Sequence, residues 1–419
     1  MTKIEKMSKF HNLIVTCLTI VILIIGIVSS ANAEKHITYL RLGDFSGPIA
    51  GTDIPNYQGI KIFLDYINAK GGIDGVKIKM VAVDIRYNVA RAVSAYNRYR
   101  REKNLFVTQF AGTNIGKAIG PLSRKDKIIA IYSGDGSIQA KQTPYALNAM
   151  TAYQDMFGGS IDWIMEDWKK KGNNTPPVIG YIGWDSPFGK EPLRGGMEYA
   201  RTKRVKMLPP EFFPIGTLDY TVYLNRIAGR KANYVIVTAV DPTPTNVIVK
   251  ACRMGLTKKM VFLSPFTWSH LETVGMRLHP EELEGTVAGS CWLKGEDLYS
   301  HPNTKKLWVD FAGKPLEDIA VGVFNGMSCG MSLAQALKIA LKEVSYDDLT
   351  SDVMLKYLRK LGQPEYRDHR EGIMGPCTWG PGETRSSKHM KFYQAKKGKL
   401  LPITDWRKLP DTVSMYQWK

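Results

Sequence analysis

The chain has 419 residues, 44% of them hydrophobic and 23% charged, and a formal charge of +18. Its length predicts two domains, three at most, with ample apolar material for real cores. This ordinary globular composition sets aside a disordered chain, and the dispersal of Lys and Arg along the sequence argues against a nucleic-acid partner.

The N-terminus reads as an export signal. Lys3, Lys6 and Lys9 precede an apolar run over 13–28, and Ser-Ser-Ala-Asn-Ala follows with small residues at Ala31 and Ala33. A basic start, an apolar middle and an A-x-A exit predict cleavage after Ala33. The competing reading is an uncleaved anchor, because the uncharged run over 12–32 nearly reaches the length of a bilayer span. Cys17 has no Gly or Ala just before it, so no lipid anchor is expected. Cleavage removes three lysines and Glu5, taking the charge from +18 to +16. No later stretch approaches the roughly 18 uncharged apolar residues of a spanning helix. The expected product is an exported, periplasmic protein.

After the leader, a strand is predicted over 37–42, broken at once by Gly43 to Pro48. Ile60, Phe63, Leu64 and Ile67 share one helical face, which predicts a helix over 56–68 ended by Gly71 and Gly72. Asp74-Gly75 turns the chain, and 77–83 alternates into a fully apolar strand of the parallel-sheet kind. The alternation then repeats. Helices are predicted over 90–103, 116–124, 153–171, 190–204 and 245–254, with another ending at Ile227. Strands are predicted over 105–110, 128–132, 178–183, 234–237 and 261–263. Such βα alternation gives parallel sheets with right-handed crossovers. One small sheet cannot hold so many strands, so two α/β lobes joined by a hinge are expected. Toward the C-terminus come long helices over 323–342 and 348–361, a turn-rich stretch over 372–382, and a hairpin arm over 391–399. The densest basic pieces, over 98–103, 168–171 and 201–206, sit on or at the ends of helix-like stretches and read as solvated faces.

Catalytic patterns are missing. The sequence has no phosphate-binding loop, no nucleophile elbow, no H-E-x-x-H and no G-x-G-x-x-G. None of the six histidines after residue 33 lies four residues from another. Met327-x-Cys329-x-Met331 points to different faces of a helix and reads as core, not copper ligands. Neither a metal nor a cofactor is expected, and no catalytic site is predicted. Cys252, Cys291, Cys329 and Cys377 form no C-x-x-C; buried thiols or one structural bridge are expected.

What remains are turns at the C-terminal ends of strands, where open α/β sheets bind ligands. They are Phe45-Ser-Gly-Pro-Ile-Ala50, Ala111-Gly-Thr-Asn-Ile-Gly116, Ser133-Gly-Asp-Gly-Ser137, Trp184-Asp-Ser-Pro-Phe-Gly189, Ala239-Val-Asp-Pro-Thr243 and Ser264-Pro-Phe-Thr-Trp-Ser269. The second offers a hydroxyl, an amide and backbone N–H groups at a helix start, which suit a carboxylate or another anion.

These residues carry a resemblance. Ser46-Gly47-Pro48, Gly59, Ile67-Asn-Ala-Lys-Gly-Gly-Ile73, Gly75 and Asp84 resemble the start of the periplasmic type I solute-binding proteins, the leucine/isoleucine/valine-binding kind that serves ABC importers. Asp185 with Phe188-Gly189, Asp219-Tyr220 with Leu224, and Gly375 to Trp379 with Gly382 resemble later marks of the same family, in order. The resemblance implies two Rossmann-like lobes with parallel sheets joined by three hinge crossovers. It assigns 34–152 and 292–372 to lobe one, and 153–291 and 373–419 to lobe two. It also implies a small-molecule solute, ABC permease subunits as partners, and a monomer that closes on its ligand. A sensory module of the same fold, reporting to a receptor partner, is the alternative.

Carried over residue by residue, Thr113 falls at the serine that holds a ligand carboxylate, and the 133–137 turn adds contacts. Phe188 would stack on the ligand, and Asp241 falls where an aromatic often lies. The candidate ligand-binding set is Ser46, Thr113, Asn114, Gly134, Asp135, Trp184, Phe188, Asp241 and Trp268. One departure matters. Amino-acid binders of this family carry an acid at the sixth turn for the ligand ammonium, and Ser264 to Trp268 has none. Either Asp241, Asp185 or Asp135 replaces it, or the solute is an aromatic or aliphatic acid or an amide.

Overall fold

A computed structural model describes residues 34–418. The expected leader lies outside the described residues. The first sheet has the order β2-β1-β3-β4-β5, with every neighbour parallel. Its strands are β1 (His36–Gly43), β2 (Lys77–Asp84), β3 (Leu105–Phe110), β4 (Ile129–Tyr132) and β5 (Ala146–Asn148). Strands β1 and β3 are buried almost throughout, as the central strands of a doubly covered parallel sheet must be. The crossover helices are Ala50–Ala69, Val89–Tyr99 and Thr113–Lys125. The first starts six residues before the predicted helix start at 56, and it ends where Gly71 and Gly72 carry φ of 94° and 82°.

The second sheet has nine strands. Strands β6 (Val178–Trp184), β9 (Tyr234–Thr238), β10 (Val261–Ser264) and β11 (Val287–Ser290) form its parallel centre. Short β7 (Lys206–Met207) and β8 (Glu211–Phe213) flank β6. Beyond β11 the sheet turns antiparallel through the hairpin β12 (His389–Lys396) and β13 (Lys399–Pro402), with β14 (Arg407–Lys408) on β12. The sequence reading had no signal for β5, β7, β8 or β11, which are short and lack a periodic pattern of their own.

The long helix Val321–Glu343 leaves the second sheet's neighbourhood and packs on Ala50–Ala69 of the first. The two helices touch through small residues. A Cβ at Gly59 would lie 2.0 Å from the Val323 carbonyl oxygen, and one at Gly326 would lie 2.0 Å from that of Asn56. Asn56 donates to Asn325 across this seam at 2.8 Å. Met327 and Met331 are buried in the same core, as the packing reading of that motif requires.

Three segments pass between the sheets side by side. The chain crosses after β5, after β11, and between 374 and 389. Asn148 N–H donates to the Thr384 carbonyl at 2.8 Å, Ser386 N–H to Asn148 at 3.0 Å, and Gly375 N–H to Cys291 at 3.2 Å. At their centre Arg385, 1% exposed, pairs with buried Asp155 at 2.7 Å and with Glu383 at 2.7 Å. All four described cysteines are free.

Candidate functional site

The cleft between the sheets is assembled from strand ends. It is lined on the first-sheet side by Arg41, Ile49, Thr52, Asp53, Asn56, Tyr87, the run Gln109 to Thr113, and Ser133. Tyr153 closes its floor, and Phe188, Val240 and Trp268 face it from the other side. It holds about 490 Å³ of empty space, its open mouth included.

The anion-suited corner has a backbone cause. Strand β3 ends at Phe110, and Gly112 with φ 95° and ψ 145° turns directly into helix Thr113–Lys125. A side chain there would place Cβ 2.3 Å from the Tyr87 ring, so only glycine lets the helix start close to the cleft wall. The first intrahelical bond runs from Gly116 N–H to the Gly112 carbonyl at 3.1 Å. The amides of the turn before it therefore face the cleft end of the helix with the positive end of its dipole. Tyr87 beside them has its pKa pushed up to about 12 by burial and then by Asp44, so it stays a neutral donor.

Among the described residues, charge on the lining is confined to one pair. Arg41 donates to Asp53 through Nη2 and to the Leu42 carbonyl through Nη1 at 3.2 Å, while its Nε has no partner. Asp53 also accepts from the Asp44 amide at 2.7 Å. Burial pushes the Asp53 carboxyl above its ordinary range, with Arg41 opposing. Strand register sets Arg41 beside Gln109, whose side chain accepts from Tyr39 and donates to Cys329 at 3.8 Å. Tyr87, Phe110, Tyr153, Phe188 and Trp268 give the rest of the wall its aromatic part, beside Ile49, Thr52, Asn56, Ser133 and Val240. Tyr153 meets Phe188 edge-on at 5.0 Å, and its hydroxyl accepts from Trp268 Nε1 at 2.8 Å.

Of the sequence-derived candidates, Thr113, Phe188 and Trp268 line this cavity. The other six are set off its lining. Ser46 is exposed and spends its hydroxyl on Asp84 at 2.6 Å, in the corner that fixes the first turn. Asn114 points back beside Gly112, its Oδ1 buried without a partner. Gly134 lies under the Tyr153 ring and accepts from the Tyr153 amide at 2.9 Å. Asp135 caps helix Gly136–Ala140 through the Ser137 amide at 2.8 Å. Trp184 is 2% exposed, in the core behind Phe188. Asp185 pairs with Lys190 at 2.5 Å, half exposed.

Asp241 sits beside Gly51 at an interlobe contact. Its carboxyl is pushed up to about 7, first by burial and then by Glu272, with Lys294 opposing. Glu272 and Lys294 form a fully buried pair at 3.3 Å, and the same Glu272 carboxylate accepts from the Val321 amide at 2.8 Å. It thereby caps the N-terminus of helix Val321–Glu343 from the opposite side of the cleft. Asp241 thus belongs to this electrostatic contact and not to the cavity wall.

Sequence reasoning missed Arg41, Asp53, Asn56, Tyr87, Gln109 and Tyr153. One signal was available: a cation in the middle of an otherwise apolar strand, as Arg41 is, needs a buried partner.

A family model described as periplasmic binding protein matches residues 41–399. Solved structures give the same fold. A branched-chain amino acid ABC transporter protein from Thermus thermophilus with bound valine is 17% identical, with TM-score 0.79, covering 91% of this chain and 98% of its own. A fatty acid ABC transporter substrate-binding protein from Thermomonospora curvata is 17% identical, with TM-score 0.74, covering 92% and 95%. A solute-binding protein from R. palustris in complex with benzoate is 15% identical, with TM-score 0.71, covering 89% and 95%.

Proposed function

The chain belongs to the periplasmic binding protein family, and on that premise we propose that it captures a small organic solute in the interlobe cleft and delivers it to an ABC permease. The observation that carries this reading is the cavity itself, whose walls come from strand ends of both sheets and from the hinge residue Tyr153. The lobes are 34–152 with 292–372, and 153–291 with 373–419. The chain works outside the cytoplasm, released from its leader after Ala33. Contacts from Phe188, Val240 and Trp268 stabilise the closed arrangement when a solute bridges them to the Thr113 turn.

The lining favours an aromatic or aliphatic acid, or an amide, over an α-amino acid. A ligand carboxylate or carbonyl suits the Thr113 helix start, and flat apolar parts suit the aromatic wall. Among the described lining residues a ligand ammonium would meet one carboxylate, Asp53, which Arg41 already holds. Burying that ammonium unpaired would be costly.

Thermal-shift screening of aromatic acids, aliphatic acids, amides and amino acids tests the reading. A true ligand at about a hundred times its Kd stabilises by about 2.7 kcal/mol without being consumed. Turnover of the stabilising compound would sink the binding assignment. Stabilisation by α-amino acids alone would overturn the ligand class.

A further inference from the structure

Positive charge is concentrated at the pole of the first lobe farthest from the cleft. Between residues 89 and 127 the sequence holds nine Lys and Arg against two acids, Glu102 and Asp126. The fold draws the two ends of this stretch together. Helices Val89–Tyr99 and Thr113–Lys125 pack side by side, and each precedes one of the neighbouring parallel strands β3 and β4. Their C-terminal ends are joined directly: Arg100 at the end of the first pairs with Asp126 at the end of the second, and Tyr96 donates to the same carboxylate at 2.9 Å.

Around that link stand Arg98, Arg101, Lys103, Arg124, Lys125 and Lys127, all exposed. Among the described residues none of the six has a carboxylate within ion-pair distance. Of the two acids, Asp126 is occupied by Arg100, and Glu102 alone remains beside them. Cations favour a helix C-terminus, but that effect fades within the last turn and accounts for one or two of the six. The cluster lies before β3 and β4, whereas the turns after those strands line the cleft. A six-residue strand separates the two ends by about 20 Å.

We propose that this pole is a docking surface for an anionic phospholipid bilayer. Several observations favour lipid over other polyanions. The patch is formed by exposed cations at the tips of two packed helices, which can meet an extended anionic face together. It offers no ring for stacking bases: Tyr96 is buried, and Arg98 covers the half-buried Tyr99 ring at 5.4 Å. The family works outside the cytoplasm, where phospholipid surfaces are extended anionic faces. Docking by this pole leaves the cleft, at the other end of the strands, open to solute. The attraction is one of long-range charge, so it weakens within a Debye length and with salt.

The test uses the chain from Glu34 onward, which contains every described element of the fold. Co-sedimentation is measured with vesicles of mixed phosphatidylglycerol and phosphatidylcholine, and with pure phosphatidylcholine. The chain is expected to pellet with the anionic vesicles, not with the neutral ones, and to be released by high salt. Each cation near such a surface raises partitioning about fivefold, so loss of three cations alone costs about a hundredfold, and the triple variant Arg98→Glu, Arg101→Glu, Lys125→Glu, which also adds three repelled anions, is expected to lose at least about a hundredfold. A control variant reverses three exposed lysines elsewhere, Lys169→Glu, Lys258→Glu and Lys396→Glu. It carries the same net charge and is expected to keep most of the binding. Equal loss in both variants would make net charge, not the pole, responsible and overturn the proposal. So would failure of the parent chain to bind anionic vesicles, or tighter binding to duplex DNA than to vesicles in the same buffer. If the triple Glu variant fails to fold, the Gln versions at the same three positions serve instead, checked by an unchanged melting temperature.

Discussion

Replacing Arg41 by Met removes the only cation that the described residues place on the cleft wall while keeping much of its volume. Arg41 is 1% exposed and Asp53 7%, so the orphaned carboxylate cannot reach bulk water. It keeps the Asp44 amide at 2.7 Å and loses the guanidinium. Burial already holds the Asp53 pKa above its ordinary range, and Arg41 is the largest influence opposing that rise. Without it the carboxyl takes up a proton on folding. Protonating a carboxyl whose unfolded pKa is about 3.9 costs about 4 kcal/mol at neutral pH, which caps the loss. That figure falls within the ~3–5 kcal/mol expected for breaking a buried pair. The sign of the pH dependence follows. The variant's folded pKa lies above the unfolded value, so its stability is greatest in acid and falls as pH rises toward neutrality. The gap to the parent therefore shrinks by about 1.4 kcal/mol for each pH unit below neutral. Urea denaturation followed by tryptophan fluorescence, at about pH 7 and about pH 5, measures both gaps. A gap below about 1 kcal/mol at neutral pH, or one of equal size at both pH values, would refute the buried-pair account. The double variant Arg41→Met, Asp53→Leu should recover most of the loss, because it leaves no charge behind.

Three further substitutions test the cleft. Gly112→Ala forces a side chain into a backbone region reserved for glycine and against Tyr87, so it should cost about 1–3 kcal/mol and weaken solute binding. An unchanged melting temperature would show that the turn is freer than its geometry. Trp268→Phe removes the donor to Tyr153 and should cost about 0.5–1.5 kcal/mol, seen by calorimetry as solute affinity about two- to tenfold weaker. Unaltered affinity in a folded variant would take the indole out of the cleft's support. Asp241→Asn tests the interlobe contact. The native carboxyl titrates near 7, above its unfolded value, so its contribution favours the fold in acid and is lost as pH rises from about 4 to about 7. The variant's melting temperature should fall less across that range, with solute affinity retained. Loss of binding would instead make Asp241 a ligand group.

Much of the architecture was legible because βα alternation is written in local periodicity. Each helix that faces a sheet repeats its apolar residues every three or four positions, and each buried strand is a short apolar run. Strands β5, β7, β8 and β11 were not legible. They have two to four residues, and their pairing is imposed by neighbours. Helix Ala50–Ala69 ran farther toward its N-terminus than its apolar face predicted, because Thr52, Asp53 and Asn56 are buried polar residues that turn toward the cleft.

The cleft divides along the same line. Thr113, Phe188 and Trp268, three of the residues singled out in turns that follow strands, line the cavity. Arg41, Asp53 and Gln109 could not be placed from sequence. They share a wall only because β1 lies beside β3 with Arg41 opposite Gln109, and because the first crossover returns Asp53 over that strand end. Asp241 shows the converse. Its turn is at the right end of the right strand, yet it faces Gly51 and feels Glu272 and Lys294. By itself, then, the sequence determined the order of elements, the two-lobed class and the strand-end turns that border the cleft. The tertiary structure decided which charges neutralise one another, which acids are spent on the interlobe contact, and where the unneutralised cations gather. Periodicity is a property of neighbours along the chain, whereas burial and charge pairing depend on residues that the crossovers bring together from distant positions.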